Sequence, residues 1–240
     1  MNPQIFMTTC DREPAYVHNA LQSMLRDETV KQVHVVVCGA SGIGFMDRWG
    51  SDPRVVVHEA SEAEKAWARD ANVERRILKT FLRALELSES GRTVIFTEDD
   101  TAFARDWLKK TENFLELTKK YNLRSEFGGK YILAICSLYC LKSSRDCGMH
   151  SLAPYHPADF HCTAGFVLDG SLALELVAFA KEKISRGDWL ASDMMIKRFA
   201  WDGNCELLAS NPSLVDHVGD QSTQGFFDIR RSPTFEREEP

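Results

Sequence analysis

The sequence predicts an α/β protein built on a mainly parallel sheet, and three observations predict it. Short β-branched runs at Val33 to Val37 and Arg54 to His58 read as buried parallel strands. A strongly amphipathic stretch from about Arg69 to Leu87 separates them from a third apolar run, Thr93 to Thr97. That third run ends in three consecutive acids, Glu98-Asp99-Asp100.

Taken in order, Ile5 to Thr9 is a first apolar strand, and Pro14 opens a helix with Val17, Ala20, Leu21 and Met24 on one face. In the long helix Val73, Ile77, Phe81 and Leu85 recur every four residues, widened by Leu78 and Leu82. Phe103, Trp107, Leu108, Phe114 and Leu115 mark a further helix. This alternation favours parallel strands with crossing helices. The second half is more mixed. Strands are predicted at Lys130 to Leu141, Thr163 to Leu168 and Glu206 to Ala209, with helices at about Ser171 to Ile184 and Ser192 to Ala200. One domain is expected over 1–224, its first half to about residue 100 binding a nucleotide and its second half, from 101, an acceptor. Residues 225–240 form a charged tail, expected to fray or drape on the surface.

Composition narrows the function classes. The chain has 240 residues, 44% hydrophobic and 27% charged, as in ordinary globular proteins. A net charge of -6 lacks the basic footprint of nucleic-acid binding. Seven scattered cysteines read as reduced thiols, and neither a secretory signal nor a membrane-spanning run is seen, so a cytoplasmic setting is expected. A P-loop ATPase is excluded because no Gly-rich loop ends in Gly-Lys-Ser/Thr. The run Gly39-Ala40-Ser41-Gly42-Ile43-Gly44, with Glu59 about 20 residues on, imitates a dinucleotide loop. The next residues, Phe45 to Arg48, run into Gly50 and Pro53 before a helix could cross the sheet. The Tyr and Lys four apart that short-chain dehydrogenases use are also missing.

Three adjacent carboxylates at the end of a buried strand repel one another unless something positive neutralises them. A hard divalent cation with oxygen ligands does so, and helix capping is the plainer alternative. The carboxyl edge of an open α/β sheet is also where ligands bind.

The order of features resembles the GT-A glycosyltransferases over nearly the whole chain. The acidic motif resembles Glu98-Asp99-Asp100, and a glycine-bearing loop resembles Thr163-Ala164-Gly165-Phe166. An acid opening a late helix resembles Ser192-Asp193. A C-terminal histidine resembles His217 within Pro212-Ser213-Leu214-Val215-Asp216-His217-Val218-Gly219. Two positions depart from the usual pattern: Glu98 stands where Asp is common, and Ser192 where Glu is common. The resemblance implies a Rossmann-like three-layer GT-A fold and transfer of a sugar from a nucleotide diphosphate, with a UDP-sugar favoured. It implies Mn2+ or Mg2+ held by Asp100 and His217, and Asp193 as the general base of an inverting reaction. Thr8, Thr9, Arg12, Asn72, Arg76, Glu98 and Asp99 are then expected at the donor, and Gly165, His161 and Trp189 at the acceptor. Arg75, off the face shared by Asn72 and Arg76, is expected to be solvated. A saccharide is the favoured acceptor, a modified nucleobase in DNA the alternative, and the protein is expected to be a monomer or small homo-oligomer. A sugar- or nucleotide-binding module without chemistry and a nucleotidyltransferase are the competing classes. Cys136, Cys140, Cys147, His150, His156, His161 and Cys162 offer zinc-type ligands, but no Cys-x-x-Cys pair frames them, so thiols beside an acceptor loop are preferred.

Overall fold

The computed structural model describes residues 2–10, 16–38, 48–120, 134–139, 151–154, 156–160, 163–219, 231–232 and 235. Eight strands form the main sheet: β1 (Gln4–Cys10), β2 (Val33–Cys38), β3 (Val55–His58), β4 (Thr93–Glu98), β6 (Ala134–Ser137), β7 (Ser151–Pro154), β8 (Gly165–Asp169) and β9 (Glu206–Asn211). Their order across it is β3-β2-β1-β4-β8-β6-β9-β7. β1 pairs in parallel with both β2 and β4, β2 with β3, and β6 with β9. Only β7 and β8 run against the rest, so the sheet is mainly parallel and its mixed part lies in the second half.

Strands buried on both faces read as near-continuous apolar runs, and successive side chains supply opposite layers. Ile5, Met7, Val35, Ile95, Val167 and Leu208 pack against α1 (Val17–Met24) and α4 (Trp107–Lys120). Their neighbours Phe6, Val36, Val94, Phe96, Phe166 and Leu207 pack against α3 (Val73–Glu86), α5 (Gly170–Ser185) and α6 (Ser192–Trp201). The result is three layers. Phe81 of α3 meets Phe96 edge-on at 5.0 Å, and Phe96 stacks on Phe166 at 5.1 Å.

Several elements depart from expectation for identifiable reasons. The single helix expected from Arg69 to Leu87 is two, α2 (Glu62–Asp70) and α3. Ser61 and Glu64 form a reciprocal capping box that starts α2 early, and Asn72 starts α3 by accepting the Arg75 N–H at 2.9 Å. Phe103 belongs to a strand, not a helix: β5 (Thr101–Phe103) pairs antiparallel with β10 (Val215–His217) in a separate two-stranded sheet. The first helix begins at Val17, since residues 11–15 lie outside the described residues. Of the strand expected at Lys130 to Leu141, the described residues hold Ala134–Ser137. The tail is partly docked: Ser232 is buried, its Oγ bonds Ser213 Oγ at 2.6 Å, and Phe235 packs against the α1 side of the core.

On the α3 side of β2 and β3, His34 Nδ1 lies 2.9 Å from His58 Nε2, with His34 also against Phe6. Burial lowers both histidines below their ordinary 6.5, helped at His34 by His58 and Arg92 and at His58 by Arg83. Below pH 6.5 the pair therefore binds more protons in the unfolded state than in the folded one, and its contribution to stability falls as pH drops through that value towards the lowered folded ones. Between pH 7 and pH 5 the melting temperature of the wild type is expected to drop relative to that of His58→Gln. An identical pH dependence in wild type and variant would show that the pair takes up protons equally in the folded and unfolded states.

Candidate functional site

The site forms where β1 and β4 end side by side. Parallel register sets Thr8 opposite Glu98, where β4 ends, while Thr9 and Cys10 continue β1 beside β2. Thr9 Oγ1 donates to Asp99 Oδ2 at 2.6 Å, which ties the first strand to the acidic triplet. Asp99 and Asp100 are only 4% and 6% exposed. Glu98 accepts a short hydrogen bond from the Thr163 hydroxyl, and Thr163 Oγ1 lies 3.1 Å from Ser192 Oγ. A buried chain of hydroxyls thus links the acids to the first turn of α6, where Asp193 sits.

The two-stranded sheet explains how His217 reaches the cluster. β10 pairs with β5 so that His217 stands opposite Thr101, the residue after Asp100. His217 Nε2 lies 3.1 Å from Asp100 Oδ2, and the Val218 N–H donates to the Asp100 carbonyl at 2.8 Å. Behind the histidine, Asp216 is buried and accepts the Ser232 N–H at 2.8 Å. Gly219 completes the turn, and a Cβ there would come within 2.9 Å of both Asp100 Cβ and Oδ2.

Crowded charge shows in Glu98, whose carboxyl is pushed up to about 7. Withdrawal from water is the main cause, with the negative charges of Asp100 and Asp99 adding to it and the Thr163 hydrogen bond and His217 opposing it. The donor set suits a hard divalent cation. Asp100 supplies a carboxylate oxygen and His217 an imidazole nitrogen at one point, in a turn kept open by the missing side chain of Gly219. Among the described residues no three His, Cys, Asp or Glu converge as a closed metal cage.

Asp193 opens α6 directly after Ser192, half exposed, its Oδ1 accepting the Met194 N–H at 2.8 Å. The helix N-cap is Ala191, which makes no side-chain cap, so Ser192 lies inside the helix and turns its hydroxyl to Thr163. Arg76 has its Nε buried near the end of β2, with no hydrogen-bond partner among the described residues, while its carbonyl accepts from Thr80 Oγ1. Asn72 spends its side-chain oxygen as the cap of α3. Gly165, expected at the acceptor, is interior: a Cβ would come 3.1 Å from Val215 Cγ2, so the glycine lets β10 lie close against β8. Arg12, His161 and the 39–44 loop lie outside the described residues, as does most of the 136–162 Cys/His segment. Within that segment His156 Nδ1 accepts the Ala158 N–H at 3.2 Å, a turn cap.

Thr163 and Gly219 stand inside two of the quoted motifs, which mark neither as a site residue, yet both lie against the acids. Arg75 is exposed, as expected, and its guanidinium lies 4.9 Å from the Trp189 ring centroid. No spacing pattern joins residues so far apart in the chain. Thr163, beside the glycine of its loop, is the one with a local cue.

The fold is of the GT-A type. Among solved structures, the chain is similar to S. aureus TarS 1-349, with a TM-score of 0.57 and 13% identity over 90% of this chain and 60% of that one. It is also similar to GalNAc-T7 solved with UDP, GalNAc and Mn2+, with a TM-score of 0.56 and 10% identity over 100% of this chain and 45% of that one. The CTP:phosphocholine cytidylyltransferase LicC of Streptococcus pneumoniae shares the architecture too, at a TM-score of 0.51 and 8% identity, over 91% of this chain and 94% of that one. The chain therefore spans less than two thirds of the two transferase structures. At these identities the likeness is one of fold. No family model matches the sequence, and no curated protein matches it. No described helix is long and apolar enough to cross a membrane.

The tight turn gives a direct test. Gly219→Ala is expected to cost about 1–3 kcal/mol through overpacking against Asp100, read as a lowered denaturation midpoint. Wild-type stability would show that the 217–219 turn moves away without cost.

Proposed function

We propose that the protein is a metal-dependent glycosyltransferase that moves a sugar from a nucleotide diphosphate, UDP favoured, to an acceptor hydroxyl. The observation that carries this reading is the meeting of Asp100 and His217 at the carboxyl edge of the sheet. Asp100 and His217 would hold Mn2+ or Mg2+, leaving its other positions for phosphate oxygens and water. When bound, such an ion neutralises the charge on the departing nucleoside diphosphate as a Lewis acid. The GalNAc-T7 structure of similar fold holds UDP, GalNAc and Mn2+.

The remaining work falls to the chain's own groups. Thr9 fixes the Asp99 carboxylate, which accepts hydroxyl hydrogen bonds from the donor's ribose or sugar. Arg76, with Nε in want of an acceptor, offers its guanidinium to the diphosphate. Thr8 lines the end of β1 beside them. Asp193, exposed on one side and anchored on the other, takes the proton from the acceptor hydroxyl as it attacks the anomeric carbon opposite the leaving group. The product is inverted. Ser192 and Thr163 hold the first turn of α6 against Glu98, so base and donor site share one framework. The N-terminal part to about residue 100 serves the donor and the part from 101 to 224 the acceptor.

A second reading has an observation of its own. The cytidylyltransferase covers nearly the same length as this chain, whereas the glycosyltransferases are longer. A nucleotidyltransferase would consume a nucleoside triphosphate and release pyrophosphate, which a coupled pyrophosphate assay reads directly.

With Mn2+, UDP at about 100 times its dissociation constant is expected to stabilise the protein by roughly 2.7 kcal/mol. Chelator or Asp100→Ala should remove that shift; no shift with any nucleoside diphosphate would overturn the reading. Asp193→Ala should keep the shift and lose about 10²–10⁴-fold in transfer. Undiminished turnover in this variant would remove Asp193 from the role of base.

A further inference from the structure

One buried acid takes no part in the chemistry proposed above. Asp216, the middle residue of β10, is 1% exposed. Successive strand residues point to opposite faces, so Val215 and His217 share one face of β10 and Asp216 stands off the other. A carboxylate withdrawn from water is tolerated only with polar or charged partners. Residues 231 and 232 provide them. The Ser232 N–H donates to Asp216 Oδ1 at 2.8 Å, and Arg231 Nη1 lies 3.9 Å from Oδ2. Ser232 Oγ also donates to Ser213 Oγ at 2.6 Å, and Arg231 Nη2 reaches the Val218 carbonyl at 3.5 Å. Two consecutive tail residues thus grip the chain at 213, 216 and 218, on both sides of His217.

The grip falls where β10 needs it. β10 and β5 make a ribbon of two strands with three residues each, and a two-stranded ribbon is marginal by itself. Leu214 and Val215 donate to the Leu138 carbonyl, and the Ala104 N–H donates to the Leu214 carbonyl. Further on, the Val218 N–H donates to the Asp100 carbonyl. Backbone bonds of this kind run in the plane of a ribbon and fix its path. Rotation of the strand about its own axis is a different motion, and it would swing the His217 ring away from Asp100. A side chain anchored off the face of the ribbon resists that rotation, and Asp216 is so anchored.

We infer that Asp216 and Ser232 are positioning residues that hold the His217 imidazole against Asp100, with Arg231 as an outer contact. The consequence for metal binding rests on the glycosyltransferase reading above; the anchoring of the ring does not. Ser232 acts through Asp216, and Asp216 acts through the backbone it shares with His217.

The first measurement is nuclear magnetic resonance of the full chain, free of metal, with labelled histidine rings. The His217 signal, assigned by its loss in His217→Gln, is expected to lie away from that of free histidine because of its contact with Asp100. Asp216→Ala removes the carboxylate and Ser232→Pro its N–H donor, and each should move the signal towards free histidine. Asp216→Asn keeps an oxygen for the Ser232 N–H and should stay near the wild-type position. Arg231→Ala, at a partly exposed site, should move the signal the same way by less. A loss of stability alone leaves the ring signal of the folded protein where it was. A signal unmoved in every variant that folds would overturn the inference, as would Asp216→Asn displaced as far as Asp216→Ala.

Mn2+ titration followed by electron paramagnetic resonance reads the consequence at the metal. Wild type is expected to show nitrogen coupling on bound Mn2+, and Asp216→Ala to lose about 10–100-fold in Mn2+ affinity with that coupling reduced. The two readings fail separately. Displaced ring signals without nitrogen coupling in the wild type remove His217 from the metal and leave it anchored. Nitrogen coupling with unmoved ring signals removes the anchor alone.

Discussion

The structure is organised around one electrostatic problem, the placing of three consecutive carboxylates where a buried strand leaves its sheet. Glu98, Asp99 and Asp100 are held close together with little water to screen them. Withdrawal from water, with the charges of Asp100 and Asp99 adding to it, pushes Glu98 up to about 7. Each neighbouring element supplies a compensating group from a different part of the chain. β1 brings the Thr9 hydroxyl, the approach to β8 brings Thr163, and β10 brings His217. The cost of gathering the acids is met by polar groups that only the finished fold can gather.

The two small strands matter out of proportion to their length. β5 and β10 have only three residues each, of which Phe103 and Val215 reach the core. Their pairing nonetheless sets the angle at which His217 faces Asp100, and Gly165 allows β10 to settle against β8. The main sheet, with aromatic and branched side chains on both faces, provides the rigid floor on which this small sheet is mounted. A functional constellation on a stiff platform keeps its geometry better than one on a free loop.

Much of this is legible in the chain before it folds. The branched runs and the four-residue periodicity give the layers, because burial on two faces leaves a plain apolar signature. The acidic triplet after a strand marks the edge where the carboxylates gather. The order of four short motifs singles out Asp100, His217, Ser192 and Asp193, and the structure brings Asp100 to His217 and, through Thr163, the acids to Ser192. What stays hidden is long-range or too short to have a period. β5 and β10 are three residues long and pair across more than a hundred. The break at Asn72 turns on a single capping hydrogen bond inside an otherwise continuous apolar stripe. Arg75 and Trp189 meet only because α3 and α6 pack on the same face of the sheet.

The contact between the tail and β10 also imposes a sequence in time. Asp216 accepts a hydrogen bond from a residue sixteen positions further on, and Ser232 ties back to Ser213 on the other side of the same strand. During synthesis β1 to β4 emerge and can pair before this happens. β10 and Ser213 gain these partners only once residue 232 is in place.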